Sequence, residues 1–226
     1  MSPRVDLEPL FGLRLTTPRL DLRPGRDDDV RALGELARRG IHPPEEMPFG
    51  VAWSDRISEP GFAEEFAAYH ADGLASWSHE AWRLDLLVWE GGCLVGTQTR
   101  RGVRFASERV VDTGSWLGRA AQGRGLGTEM RAAVLELAFD GLGAAAATSG
   151  WLEGNRTSAR VSEKLGYREI GVSEMSPRGD PVVHHDVRLE RADWRPPVPV
   201  EIAGLEPCLV LFGADQPSER SAAPSD

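Results

Sequence analysis

The sequence predicts an α/β (α+β) fold: a single mixed, mostly antiparallel sheet flanked by about four helices. Three observations carry that expectation. Segments of period two and segments of helical spacing follow one another as strand, two helices, three strands, helix, strand, helix and two strands, an order that suits one layered sheet. Gly91-Gly92 lies between two strand-like runs and reads as a hairpin turn. Residues 120–130, "AAQGRGLGTEM", set three glycines directly before an apolar-periodic stretch, as a strand-to-helix turn would.

The elements follow in order. "GLRLTTPRLDLRPG" alternates apolar residues at Leu13, Leu15, Leu20 and Leu22 and reads as one strand interrupted at Pro18. "RDDDVRALGELARRG" has a polar start, helical spacing and a stop at Gly40. "IHPPEEMPFGVAW" is a proline-rich loop, and helical spacing resumes at Phe62, Phe66 and Tyr69 toward Leu74. "WRLDLLVWE", "CLVGTQTRRGVRF" and "RVVDTGSWLG" are three consecutive strands. The glycine loop then opens a helix to about Leu142, with Met130, Ala133, Val134, Leu137 and Ala138 on one face. "AAAATSGWLE" is a short strand, "NRTSARVSEKLG" a helix stopped by Gly166, and "YREIGVSE" and "VVHHDVRLE" are two more strands. Beyond Trp194, "CLVLF" is strand-like, and residues 214–226 have the Pro, Ser and Ala content of a disordered tail. The expected organisation is a domain over 1–195, an arm over 196–213 and a tail over 214–226. The arm would add a strand to its own sheet or exchange with a partner in a homodimer.

Composition narrows the function. Hydrophobic residues make up 41% and charged residues 27% of the 226, as in ordinary globular proteins. A net charge of −9 argues against nucleic acid as a partner and leaves room for a cationic substrate. No apolar run approaches the roughly 18 residues of a membrane span, and no secretory h-region is present, so no membrane partner and a cytoplasmic location are expected. Cys93 and Cys208 fall in no metal or redox spacing, so no metal is expected.

The glycine loop can be tested against known phosphate cradles. No Lys-Ser or Lys-Thr closes it, which excludes a Walker loop. Gly123 and Gly125 fit a dinucleotide fingerprint, but Thr128 stands at its third glycine and no early βαβ unit surrounds it. A third reading fits better. The N–H groups of Gly123, Arg124, Gly125, Leu126, Gly127 and Thr128 lie at a helix N-terminus, where unpaired donors and the positive end of the dipole suit a diphosphate. Gln122 and Arg124 would flank it with a donor and a charge.

"QGRGLG" resembles the acyl-CoA loop, Q/R-x-x-G-x-G/A, of the GNAT (GCN5-related) N-acyltransferases. "NRTSARVSEKLGYREIG", about 30 residues on, is similar to their second signature. "TTPRLDLRP" and "GSWLG" look like the Rim-type branch, which acylates protein N-termini and small amines. "MPFGVAW" and "DTGSWLG…QGRGLGTEMRAAVL" look most like actinobacterial members described as using succinyl-CoA. The resemblance covers roughly residues 13–195. It implies a sheet splayed at the acyl-CoA site, acetyl-CoA or succinyl-CoA as donor, and direct attack by a primary amine of a protein or a small molecule such as an aminoglycoside. A non-catalytic acyl-CoA sensor is the rival of another class.

The chemistry then assigns roles. The transition-state oxyanion wants an N–H donor, which the family takes from the strand before the loop, here near Trp116 and Leu117. Trp116 either lines the acyl channel or is core. Many members protonate the leaving thiolate with a Tyr seven residues after the Asn, and here that position is Ser162. Rim-type members place a Ser three residues after it, so Ser158 is the candidate acid and helix capping its alternative. By the same resemblance Asn155 would bond the pantetheine amide, with helix capping as its alternative. The attacking amine needs a base: Asp112, Asp85, His184 and His185 are candidates, and only one of the adjacent histidines can face the site. Glu45 and Glu46 could attract a cationic acceptor to the proline-rich loop. A succinyl carboxylate would need one of Arg83, Arg100, Arg101 or Arg104.

Overall fold

The computed structural model describes residues 5–214. Their nine strands form one sheet in the order β7-β8-β6-β5-β4-β3-β2-β1-β9. The strands are β1 (Arg14–Thr16), β2 (Leu20–Pro24), β3 (Ala81–Glu90), β4 (Cys93–Val103), β5 (Val110–Leu117), β6 (Ala146–Leu152), β7 (Arg168–Met175), β8 (Val182–Glu190) and β9 (Glu201–Ala203). Every neighbouring pair is antiparallel except β5 and β6. The chain between those two runs through the glycine loop and a helix, and only such a crossover returns a strand parallel to its predecessor.

The helices are α1 (Asp27–Arg38), α2 (Phe62–Ala75), a four-residue α3 (Phe105–Glu108), α4 (Leu126–Glu136) and α5 (Arg156–Lys164). Each forms for a local reason. Three aspartates open α1 and Arg38 closes it, matching the helix dipole at both ends. Helix α4 is buried from Glu129 through Leu135, so its mixed apolar run is a central helix wrapped on all sides. Two cores result. The larger lies on the α4 side of the sheet, and a smaller one under α1 and α2 gathers Leu33, Ala37, Phe62, Phe66, Leu87 and Trp89.

Three local readings change. The first strand is a hairpin of β1 and β2, with Leu15 paired to Leu22. Pro18 has no N–H to give a ladder, and the Thr17 hydroxyl accepts the Leu20 N–H (3.0 Å) to close the turn. Tyr69 is exposed, and its neighbour His70 is the buried one. "CLVLF" is part of a 3-10 helix, Glu206–Phe212, with Cys208, Leu211 and Phe212 buried at helical spacing. The arm's strand is β9, which pairs with β1 of the same chain (Arg14 opposite Ala203). The Trp77 indole N–H donates to the Leu211 carbonyl (2.9 Å), and Phe212 packs edge-on against Trp82. The apolar arm is thus packed against its own chain. Of the expected tail, residues 215–226 lie outside the described residues.

Phe212 is fully buried. Phe212→Ala is expected to cost about 3–5 kcal/mol, read as a lowered urea midpoint at unchanged slope. A loss under about 1 kcal/mol would show the arm docks without stabilising the domain.

Candidate active site

The loop between β5 and α4 adopts the backbone that its glycines permit. Gly123 (φ +74°) and Gly125 (φ +81°) are left-handed, and Gly125 is the N-cap of α4. Among the described residues, the N–H groups of Gly123 to Thr128 have no acceptor; the first helical bond is from Glu129 to the Gly125 carbonyl (3.2 Å). Six consecutive donors therefore meet the positive end of an 11-residue helix, which is an anion cradle.

The flanking side chains serve a different purpose from the one expected. Gln122 donates its amide to the carbonyls of Ile41 (2.6 Å) and Leu117 (2.8 Å), and Arg124 forms a bidentate pair with Glu90 (2.7 Å each). They brace the loop and leave the anion to the backbone. A second brace escaped the sequence reading. Glu129 is buried at the first turn of α4 and accepts from the Thr17 hydroxyl (2.7 Å), the Arg19 N–H (3.0 Å) and the Arg19 guanidinium (2.6 Å).

Beside the cradle the sheet opens. β5 and β6 pair only over Val110–Asp112 and Ala146–Thr148. At the root of the gap the Ser149 hydroxyl donates to the Thr113 carbonyl (2.9 Å) and the Thr113 hydroxyl to the Thr148 carbonyl (3.1 Å). Arg131 of α4, almost wholly buried, reaches both banks: one nitrogen donates to Ser149 on β6 (2.9 Å), another to Ser115 on β5 (3.1 Å). Tyr167 stands beside Thr113 (3.3 Å), and burial pushes its phenol up. The Gly118 N–H bonds the Val95 carbonyl (2.9 Å), and the antiparallel alternation from that pair turns the N–H groups of Ser115 and Leu117 toward the gap.

Trp116 faces the other side of the sheet, 5.9 Å from Trp53 between ring centres, in the α1–α2 core. Asn155 caps α5, accepting the Ser158 N–H at 3.1 Å, so the capping role falls to Asn155. The half-buried Ser158 keeps a hydroxyl with no hydrogen-bond partner among the described residues. Ser162 is buried on the same helix.

On the α1–α2 face the loop 41–57 straps the gap. Arg178, in the β7–β8 turn, pairs with Asp55 (2.6 Å) and donates to the Pro44 carbonyl (2.8 Å). This guanidinium holds the Asp55 carboxyl below its ordinary range. Glu45 and Glu46 are exposed on this strap, except that the Glu45 carbonyl accepts from Arg178 (3.4 Å).

The candidate bases separate by strand face. Asp112 shares its face with Thr148 (3.3 Å) and with Arg101 (3.9 Å). His184 is on that face, with Asp186 at 3.0 Å. His185 points to the opposite side, stacked on Trp151 and between Glu153 (2.7 Å) and Glu169 (2.8 Å). Asp85 is buried between His70 (3.1 Å), Arg83 (3.0 Å) and Thr99 (2.6 Å). Burial pushes its carboxyl up, but these three partners outweigh it and hold it low. His70 and Asp85 floor a cleft of about 640 Å³ between α1, α2 and β3. Of the four arginines considered for a distal carboxylate, Arg83 pairs with Asp85, Arg101 with Asp112 and Arg104 with Glu108. Arg100 alone among these four has its guanidinium buried with no hydrogen-bond partner, and burial pushes its pKa down to about 9.

Two outcomes follow from this geometry. Arg131→Met removes two bonds from a buried charge, worth roughly 1.5–3 kcal/mol each. The variant should stay folded by circular dichroism and bind CoA at least about tenfold more weakly by calorimetry. For His185, the two glutamates raise the pKa. The stability this gives is full below the unfolded value of about 6.5 and is lost as pH rises through the higher folded value. The gap in melting temperature between the wild type and His185→Gln should therefore be widest near pH 6 and shrink as pH rises from there; a constant gap would contradict it.

The acetyltransferase (GNAT) domain family matches residues 19–168. Among solved structures, Mycobacterium smegmatis RimJ in complex with CoA-disulfide is 20% identical with a TM-score of 0.61, over 80% of this chain and 88% of that one. RimL, a ribosomal L7/L12 alpha-N-protein acetyltransferase, is 17% identical with a TM-score of 0.59, over 77% and 91%. The microcin C7 self-immunity acetyltransferase MccE, in complex with acetyl-CoA and AMP, is 13% identical with a TM-score of 0.59, over 76% and 93%. At these identities the likeness to the solved structures is one of fold. With the domain match spanning both the cradle and the α5 signature, this chain belongs to the GNAT acetyltransferase family.

Proposed function

We propose that this chain is an acyl-CoA-dependent N-acyltransferase that moves an acetyl or succinyl group from the CoA thioester to a primary amine, by direct attack in a ternary complex. The observation that carries the reading is the six unpaired N–H donors of Gly123 to Thr128 beside the β5–β6 gap. A diphosphate suits the first and an extended pantetheine arm suits the second, as an added strand between the banks. The Leu117 N–H is aligned to receive the developing oxyanion, and a fixed backbone dipole needs no reorganisation as charge appears. Asn155, at the neighbouring helix start, serves the pantetheine amide, and the free Ser158 hydroxyl protonates the leaving sulfur. Asp112 lies on the acceptor face and attracts a cationic amine there.

The acceptor class, a protein N-terminus or lysine against a small amine, follows the Rim-type resemblance and the activity of RimL on a ribosomal protein. Arg100 supports a donor with a distal carboxylate. It pairs in register with Thr113 at the root of the gap, and its buried guanidinium has no other counter-ion among the described residues.

Turnover of acetyl-CoA and succinyl-CoA against peptide and polyamine acceptors tests the reading. Ser158→Ala should keep the CoA-induced thermal shift and lose roughly 10²-fold or more in kcat, the usual scale for a proton donor. Full activity in that variant would remove Ser158 from the acid role. CoA binding without turnover of any acceptor would favour the sensor.

A further inference from the structure

We propose that His184, oriented by Asp186, is the general base that takes the proton from the attacking amine. The assignment rests on the acyl-transfer reading above and adds the group that the sequence left open between four residues.

The argument begins with two glycines. β5 and β6 are in register at Asp112 and Thr148, so Gly114 and Gly150 stand level on the two banks just past the root of the gap. Gly150 is opposite Asp186, and Leu152 opposite His184, so all four share the face that carries Asp112. A side chain on Gly150 would collide with the His184 ring at 2.3–2.4 Å. The imidazole therefore fills the place that this glycine vacates. A side chain on Gly114 would meet nothing within 4 Å. The space over Gly114 is thus open, with Asp112 and Trp116 along its own strand and His184 across the gap. An amine approaching the carbonyl held at Leu117 passes through that space.

The imidazole is also held as a base should be. Its Nδ1 lies 3.0 Å from one oxygen of Asp186, and the Ser173 hydroxyl donates to the other at 3.1 Å. Its Nε2 has no hydrogen-bond partner among the described residues. Asp186 and, at 3.5 Å, the Ser173 hydroxyl both stand at Nδ1 and favour the tautomer that leaves Nε2 as the acceptor, the arrangement of a histidine base backed by an acid. The charged groups on this face are Asp186, Arg188 and Glu190 on its own strand, Arg168 on β7, Asp112 and Arg101 on the strands beyond β6, and Asp85 and Arg83 on β3.

The rivals fit less well. His185 is on the opposite face between two glutamates. Asp85 is spent on His70, Arg83 and Thr99. Asp112 is half-exposed. An ordinary carboxylate titrates near 4 and an ordinary imidazole near 6.5, and the imidazole is closer to an α-amine near 8. As the N–C bond forms, the nitrogen gives one proton to Nε2. As the C–S bond breaks, its electron pair goes to sulfur, which takes a proton from Ser158; solvent carries the imidazolium proton back to Ser158.

The test is CoA release from acetyl-CoA with a peptide bearing a free α-amine, between pH 5.5 and 9, alongside the same assay with hydroxylamine, a weakly basic acceptor that is neutral over the upper part of this range. His184→Gln is expected to retain the CoA-induced thermal shift, lose roughly 10²- to 10⁴-fold in kcat/KM with the peptide, and lose the acid limb of the kcat profile at saturating peptide. With hydroxylamine its loss should be at least about tenfold smaller, because this less basic nitrogen passes its one proton to water more readily once the N–C bond forms. Asp186→Asn should lower kcat while KM for acetyl-CoA stays unchanged. A His184→Gln enzyme with the wild-type rate and acid limb would overturn the assignment and leave the acyl-transfer reading intact. An equal loss with both acceptors would make the ring a wall of the site and also overturn it. A wild-type chain that releases no CoA with either acceptor overturns the acyl-transfer reading and this assignment together.

Discussion

Everything in the candidate site depends on two parallel strands that are prevented from pairing. A parallel ladder is a favourable default, and β5 and β6 begin one over Val110–Asp112. It ends because the next groups are already committed. At the root the Ser149 hydroxyl donates to the Thr113 carbonyl and the Thr113 hydroxyl to the Thr148 carbonyl, and Arg131 stands under the opening with one nitrogen on each bank. The gap keeps its shape because a buried guanidinium, costly to leave unpaired, finds its partners only when Ser115 and Ser149 stand apart. This exposes backbone donors that a continuous sheet would consume.

The cradle beside the gap follows a related logic. The loop offers N–H groups that nothing among the described residues satisfies, and the side chains around it are bound to one another: Gln122 to Leu117 and Ile41, Arg124 to Glu90, Glu129 to Thr17 and Arg19. Rigid surroundings let bare backbone act as the ligand. The Glu129 carboxylate at the start of α4 also favours the helix dipole before any phosphate arrives.

Much of this was legible in the sequence because it rests on local pattern. Glycines that need positive φ, helical spacing from Met130 and the Asn155 cap all leave a trace in neighbouring residues. The single-strand reading of 13–22 missed a signal that was present: the buried leucines sit at odd positions before Pro18 and even positions after it, and a change of parity means a turn. "CLVLF" was misread because a short apolar run does not separate strand from helix, and only the burial of 208, 211 and 212 reveals the period. The braces were not legible. Arg131, Glu129 and Arg178 act on partners far away in sequence, and a charged residue in an apolar helix announces burial without naming the partner. The same holds for His184 and His185, whose faces are fixed by register with β6.

The strap over the acceptor face has a consequence for the solution in which the protein works. Loop 41–57 is tied to the β7–β8 turn chiefly through Arg178 and Asp55, both about one-third exposed to water. Such a pair is screened by dissolved ions, over a Debye length of roughly 8 Å at physiological strength. The root of the gap, buried around Arg131, is screened much less. Salt should therefore loosen the mouth of the site before it disturbs the floor, making entry of the acceptor more sensitive to ionic strength than the seating of the acyl group.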